Sequence, residues 1–239
     1  MMRMAPDHTR ISLCPTGSAR MTKPRMKDYQ RDFLDFAIRC QALRFGEFTL
    51  KSGRVSPYFF NTGMFDTGER LARLGDFYAR AVIDREQSFD MVFGPSYKGV
   101  PLACGLAIAL ATHHGRDVPY AFNRKETKTY GEGGLVVGHV LQGRVLIVDD
   151  VISAGTSVRE SVEIIRAAGA TPVGVAIAVD RQERGTGTHS AVQQVEQEFG
   201  LRVTSIADLE TLLRYLAAQG DGSRGHYDAI TAYRHRYGT

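Results

Sequence analysis

Two adjacent carboxylates, Asp149 and Asp150, close an apolar run, Val145-Leu146-Ile147-Val148. Behind them come Val151, Ile152, Ser153, Ala154, Gly155, Thr156 and Ser157, most of them small or hydroxylated. A strand that ends in such a loop and opens into a helix turns backbone N–H groups toward an anion, and the helix dipole adds to the attraction. Gly155 lets the backbone come close to that anion. The two acids would repel a bare triphosphate, but they accept hydrogen bonds from sugar hydroxyls. A phosphorylated sugar satisfies both halves. The loop lacks the Gly-Lys-Ser/Thr of a nucleoside-triphosphate loop, and no G-x-G-x-x-G dinucleotide fingerprint occurs. The competing reading is an ordinary strand, turn and capped helix, since Ser157 and Glu160 have capping-box spacing.

Cations are grouped elsewhere. Gly94-Pro95-Ser96-Tyr97-Lys98-Gly99 lies between a short apolar strand and an apolar helix, a second anion site with Lys98 as its side-chain cation. Arg124, Lys125 and Lys128 fall within five positions of a glycine-containing insert, residues 124–134, that also carries Tyr130. Such a group can clamp a pyrophosphate leaving group; the alternative is a solvated hairpin tip. Arg181 follows the apolar run 172–179 and so stands at a strand's carboxyl end. A guanidinium there can grip a carboxylate through two parallel bonds; the alternative is a surface ion pair with Asp180 or Glu183. Phe59 and Phe60 are adjacent in a strand-like segment, so their rings point to opposite faces and one at most can meet a ligand.

The elements that hold these residues follow from periodicity. Phe33, Leu34, Phe36, Ala37 and Ile38 share a helix face. Residues 45–51 and 57–61 read as short strands broken at Ser52-Gly53-Arg54, and 71–83 reads as a helix. From residue 90 onward strands and helices alternate: strands at 90–93, 119–123, 135–140, 145–148, 172–179 and 202–206, with helices to 113 and over 157–168, 190–199 and 209–218. The expectation is an α/β fold with a mainly parallel twisted sheet, helices on both faces, and ligands at the carboxyl ends of the strands.

Composition narrows the function classes. With 239 residues and 43% hydrophobic content, the chain can bury a substantial core. No run of 18 apolar residues occurs, so no membrane partner is expected. The net charge of +4 is local: residues 1–25 hold five bases and one acid, leaving 25 of the 30 bases and 25 of the 26 acids for the rest. A body of zero net charge argues against a nucleic-acid partner. The first 25 residues lack apolar periodicity and read as a disordered leader or a start-site artefact; an organelle-targeting peptide is the other reading. Three cysteines without pairing or metal spacing suit a reducing, cytoplasmic setting. No zinc-protease motif, C-x-x-C pair or nucleophile elbow is present.

The 145–157 segment resembles the phosphoribosyl pyrophosphate (PRPP) signature of type I phosphoribosyltransferases, and the 124–134 insert is similar to the catalytic loop of orotate phosphoribosyltransferases. The likeness extends from Met26 to the C-terminus. It implies a type I phosphoribosyltransferase domain over 26–239, with a small N-terminal hood supplied mainly by 26–85. It implies transfer of ribose 5-phosphate from PRPP to orotate, giving orotidine 5′-monophosphate and pyrophosphate in pyrimidine biosynthesis. The implied cofactor is Mg²⁺, held mainly by substrate and water. PRPP would be bound by Lys51, Tyr97, Lys98, Arg124, Lys125, Lys128, Tyr130, Asp149, Asp150 and the loop from Val151 through Ile152, Ser153, Ala154, Gly155 and Thr156 to Ser157. Orotate would meet Phe59, Phe60, Ser153 and Arg181. Lys128, Asp149 and Asp150 would be catalytic, and the flap would reach the partner's active site in a homodimer. Similar pyrophosphate loops carry a non-proline cis peptide, which falls here at Ser96–Tyr97. Two departures stand out: Tyr130 replaces the usual flap histidine and cannot carry its positive charge near neutrality, and Ser153 replaces a common threonine while keeping the hydroxyl. The alternatives are a PRPP- or nucleotide-sensing regulator, or a phosphoribosyltransferase for another base, on the same fold.

Overall fold

The structure is a computed structural model and describes residues 25–50, 52–128, 134–185 and 187–239. The expected leader therefore lies almost wholly outside the described residues. Helix α1 (Asp28–Arg39) leads into an antiparallel hairpin, β1 (Leu43–Thr49) and β2 (Val55–Phe60), which forms a two-stranded sheet of its own. Then come α2 (Gly68–Asp84), β3 (Met91–Gly94), α3 (Gly99–His114), β4 (Tyr120–Lys128), β5 (Gly134–Gly138), β6 (Arg144–Asp149), α4 (Thr156–Ala167), β7 (Thr171–Asp180), α5 (Ala191–Phe199), β8 (Arg202–Asp208), α6 (Leu209–Ala218) and α7 (Arg224–Tyr237).

The main sheet has the order β5-β4-β3-β6-β7-β8. All its pairings are parallel except β4 with β5, an antiparallel edge. Alternation along the strands explains why both faces are covered. Val92, Leu146, Val148, Ala176 and Ala178 share a core with apolar residues of α1, α2, α3 and α6. Met91, Phe93, Val145, Ile147, Val175 and Ile177 face the other way, against Val158, Val162 and Ile165 of α4 and Val192 and Val195 of α5. The α/β class, the mainly parallel sheet and the cover on both faces agree with the sequence reading.

Three differences have physical reasons. Helix α7 was not foreseen, because it is polar around most of its surface and buries only Ile230 and Tyr233. Strand β4 runs on to Lys128, so the cationic insert begins as a continuation of the strand. The capping box at Ser157 does not form. Gly155, at φ 73°, is the N-cap residue of α4, and no side chain caps that end.

Candidate active site

The carboxyl ends of β3, β6 and β7 place the chemistry-bearing residues side by side. Asp149 is the last residue of β6 and Asp150 follows it; they are 7% and 8% exposed. All four of their carboxylate oxygens accept hydrogen bonds. Asp149 Oδ1 accepts from the Asp150 N–H at 2.8 Å, and Oδ2 accepts from the Ser157 hydroxyl at 2.7 Å. The hydroxyl expected to cap the helix thus braces the acid instead. Asp150 Oδ1 accepts from the Val151 N–H at 2.8 Å. Asp150 Oδ2 accepts from Lys98 Nζ at 2.6 Å and from the Thr62 hydroxyl at 3.1 Å. Behind the pair, the buried Tyr78 phenol donates to the Asp149 carbonyl at 2.7 Å. Burial is the main cause that raises the Asp149 carboxyl to about 6; the Asp150 charge adds to it and the Ser157 hydrogen bond opposes it.

The loop after the acids is held from both cores. Val151 packs on one and Ile152 on the other, while Ser153, Ala154 and Thr156 are exposed. Without a side-chain cap, the first N–H groups of α4 have no intrahelical partner. An oxyanion is the partner such an end accepts.

The 94–99 loop is drawn tight by close backbone approach. A Cβ on Gly94 would lie 2.2 Å from the Gly99 carbonyl oxygen, and one on Gly99 would lie 2.8 Å from that of Val148. The Ser96–Tyr97 peptide is cis, as expected. Asn123 steadies this loop from β4: its side-chain oxygen accepts from the Ser96 N–H at 2.9 Å, and its carbonyl accepts from the Ser96 hydroxyl. Lys98 reaches the acids from here, and Tyr97 is 72% exposed with Lys125 Nζ 5.5 Å from its ring centre. Arg124 donates to the Gly134 carbonyl at 3.1 Å, closing the root of the insert. Lys51 and Tyr130 lie outside the described residues. Lys128 is described only as backbone, at the end of β4.

Arg181 forms the ion pair that was the alternative to a ligand role, but not at the surface. Its Nε and Nη2 contact Glu183 Oε1 at 2.8 and 2.5 Å, and the two side chains are 18% and 14% exposed. Nη2 also donates to the Ser56 hydroxyl at 3.0 Å, and the guanidinium carbon lies 4.3 Å from the centre of the Tyr58 ring. Asp180 instead accepts from the Gln182 N–H at 2.9 Å; burial first, then nearby acids, raises it to about 6. Ser56, Tyr58 and Phe60 alternate along β2 and share a face. Phe60 therefore belongs to the face that Arg181 touches, and it packs near Phe33 and Phe65. Phe59 faces the other way and stacks on Phe48, with Arg44 nearby.

Thr62, Tyr78, Asn123 and Glu183 escaped the sequence reading. Thr62, Tyr78 and Asn123 act through contacts 27 to 88 residues away in the chain. Only Glu183, two residues from Arg181, had a local signal, and it was read as a competitor.

Residues 61–191 match the family model described as phosphoribosyl transferase domain. An orotate phosphoribosyltransferase from Thioalkalivibrio sulfidiphilus is 63% identical over 213 residues, 89% of this chain and all of that protein. The chain belongs to the orotate phosphoribosyltransferase family. Among solved structures, the orotate phosphoribosyltransferase of Francisella tularensis is 40% identical, with a TM-score of 0.79 over 87% of this chain and all of that one. The orotate phosphoribosyltransferase of Mycobacterium tuberculosis in complex with PRPP is 26% identical, with a TM-score of 0.58 over 77% of this chain and 98% of that one. The likeness to the family that the acid pair and the flap carried in the sequence therefore holds along most of the chain.

Proposed function

We propose that this orotate phosphoribosyltransferase, a pentosyltransferase of pyrimidine biosynthesis, divides its substrates among the loops just described. The observation that carries the reading is the meeting of three segments at Asp150: its own loop, Lys98 from the 94–99 loop, and Thr62 from the segment after the hairpin. Asp149 and Asp150 receive the ribose hydroxyls of PRPP. The backbone of 151–157 and the hydroxyls of Ser153, Thr156 and Ser157 receive the 5′-phosphate. Tyr97, Lys98, Arg124 and Lys125 face the pyrophosphate, and the family likeness assigns Lys51, Lys128 and Tyr130 to the same group. Arg181 meets the orotate carboxylate, and Phe60, of the two phenylalanines, lies on the base's side. Of residues 26–85, expected to supply most of the hood, the hairpin with its own two-stranded sheet is the part proposed to serve as one, while α1 and α2 pack in the core against the main sheet.

The reaction is a transfer at the anomeric carbon. The bond to pyrophosphate breaks and a bond to the pyrimidine nitrogen forms. Negative charge gathers on the leaving group, and cations brought to it lower the barrier. In the free enzyme Lys98 is paired with Asp150. Binding exchanges partners: Lys98 turns to the pyrophosphate, and Asp150 takes a ribose hydroxyl in its place. Each group keeps a polar partner throughout, so the exchange costs little. Flap closure excludes the water that would otherwise hydrolyse the sugar.

Among the described residues no cluster of three or more His, Cys, Asp or Glu side chains is placed to cage a metal. Mg²⁺ is usually held by substrate oxygens and water with one or two carboxylates, and Asp149 and Asp150 are hard oxygen donors of that kind. When bound, Mg²⁺ neutralises charge on the pyrophosphate. A homodimer whose flap, residues 124–134, reaches the partner's site and a cytoplasmic location belong to the same proposal. Among the described residues no helix is long and apolar enough to cross a membrane.

The test is consumption of orotate with PRPP and Mg²⁺, run beside adenine, hypoxanthine and uracil. Turnover of orotate alone is expected. Turnover of a purine would reassign Arg181, and binding of PRPP without turnover of any base would favour the sensing regulator.

A further inference from the structure

We propose that Glu183 is the positioning residue of the base site. It holds the Arg181 guanidinium in the plane in which it meets the carboxylate of the pyrimidine, and Arg54 anchors Glu183 from behind. The proposal rests on the reading of Arg181 given above.

The geometry is that of a built support. Glu183 Oε1 accepts from Arg181 Nε at 2.8 Å and lies 2.5 Å from Nη2, so it engages one edge of the guanidinium and resists its rotation. Ser56 and the Tyr58 ring hold it from the hairpin side. The other Glu183 oxygen lies 3.8 Å from Arg54 Nη1. Arg54 is itself held: its guanidinium sits 4.9 Å from the centre of the Tyr237 ring. The backbone around Glu183 is tied down as well. Glu183 bridges to Gly238, the Arg184 N–H donates to the Tyr237 carbonyl at 2.8 Å, and the Thr239 N–H donates to the Gln182 carbonyl at 3.0 Å. The support thus joins the hairpin, the loop after β7 and the end of α7.

A carboxylate beside an anion-binding arginine acts in two opposite ways. It fixes the arginine, and it offsets the charge that attracts the substrate. Counting charges shows which effect prevails. Arg54, Arg181 and Glu183 together carry one net positive charge, so attraction for one substrate carboxylate survives. Without Glu183, Arg181 would lie largely buried with no counter-ion among the described residues and with its plane less firmly held. A buried pair that loses one partner is strongly disrupted, so positioning outweighs the charge that is offset.

The experiment is steady-state kinetics on the full-length enzyme with Glu183→Gln, Glu183→Asp, Arg54→Ala and Arg181→Ala, each checked for thermal unfolding. Glu183→Gln is expected to raise the KM for orotate about tenfold, the effect of losing one charged hydrogen bond, with kcat and the KM for PRPP little changed. Glu183→Asp, which keeps the charge, falls between wild type and Gln. Arg54→Ala moves the orotate KM in the same direction by a smaller factor. An orotate KM that stays level or falls in Glu183→Gln overturns the proposal, and so does an equal rise in both KM values, which marks general damage. If Arg181→Ala also leaves the orotate KM unchanged, the reading of Arg181 fails as well. If Arg181→Ala raises it and Glu183→Gln does not, the positioning role alone fails. Should Glu183→Gln unfold, the Glu183→Asp ratio of the two KM values decides on the same criteria.

Discussion

The two ends of the proposed site, one assigned above to the sugar phosphate and the other to the base, are assembled over very different distances along the chain. The acids, their loop and the first turn of α4 occupy residues 149–157, and the hydrogen bonds inside that stretch span one to eight residues. The base end joins Ser56 and Arg181, 125 residues apart, and adds Tyr58, Glu183, Arg54 and Tyr237. The first is made largely of backbone and short side chains on a strand-to-helix turn. The second is made of long side chains that support one another. A short-range construction tolerates little change in its backbone, whereas a long-range one depends on its individual partners.

The largest effect is expected from a change of backbone packing in the 94–99 loop, which Lys98 ties to Asp150. Gly94→Ala puts a methyl 2.2 Å from the Gly99 carbonyl oxygen and 2.9 Å from the Ala103 Cβ, where no flexible side chain can yield. Overpacking of this kind costs about 1–3 kcal/mol or more, and the loop must open to relieve it. Opening carries Lys98 away from Asp150. Loss of kcat by about 100-fold or more, the scale of a displaced transition-state contact, is expected together with a fall in melting temperature. Normal PRPP turnover in Gly94→Ala would show that the loop is less constrained than its packing implies.

The next effect uses a property both ends share. Asp149 and Asp180 are each raised to about 6, mainly by burial. Their folded-state values lie above the unfolded value near 4, so the native state holds more protons across that window. Their contribution to stability is fully present below about pH 4 and is lost as the pH rises through about 6. On the role proposed for Asp149, activity runs the other way, because a carboxylate accepts ribose hydroxyls best when ionised. Below pH 6, kcat/KM for PRPP is expected to fall about tenfold per unit, since that ratio reports groups of the free enzyme. Asp149→Asn should be less active and lose that slope. Asp180→Asn should keep the slope while flattening the dependence of melting temperature on pH. If Asp180→Asn abolishes the activity slope, the two ends are not separable by titration.

The same contrast explains what was legible in the sequence. The acid pair, the loop after it and the strand before it were readable because they are contiguous in the chain and hydrogen-bond among themselves within eight positions, whereas the distant partners Lys98, Thr62 and Tyr78 gave the acids no local signal. The parallel sheet was readable because strands buried on both faces leave continuous apolar runs such as 145–148 and 174–179. Ser157 shows the limit of local rules. Its spacing to Glu160 matched a cap, yet the hydroxyl turned to Asp149, an acceptor the capping pattern does not include. Thr62 and Asn123 had no local signal, because each serves a residue in another element. Helix α7 hid behind its polarity, since it buries only Ile230 and Tyr233 and holds the base end through its last residues.

The smallest effect compares two fully buried tyrosines, one at each end. Tyr78 donates to the Asp149 carbonyl, whereas the Tyr58 hydroxyl, buried beneath Arg181, has no hydrogen-bond partner among the described residues. Removing the Tyr78 hydroxyl leaves a buried acceptor short of a partner, so Tyr78→Phe should destabilise the fold by about 1–2 kcal/mol. Removing the Tyr58 hydroxyl deletes a buried group that gains nothing where it lies, so Tyr58→Phe should be neutral or stabilising by up to about 1 kcal/mol. The ring that lies against Arg181 is kept in Tyr58→Phe, so the KM for orotate should stay within about twofold. Denaturant unfolding and orotate kinetics on both variants measure these outcomes. A costly Tyr58→Phe with a raised orotate KM would mean that the phenol acquires a partner when the base is bound. The base end would then gain a hydrogen bond from its ligand, whereas Tyr78 already has its partner in the Asp149 carbonyl.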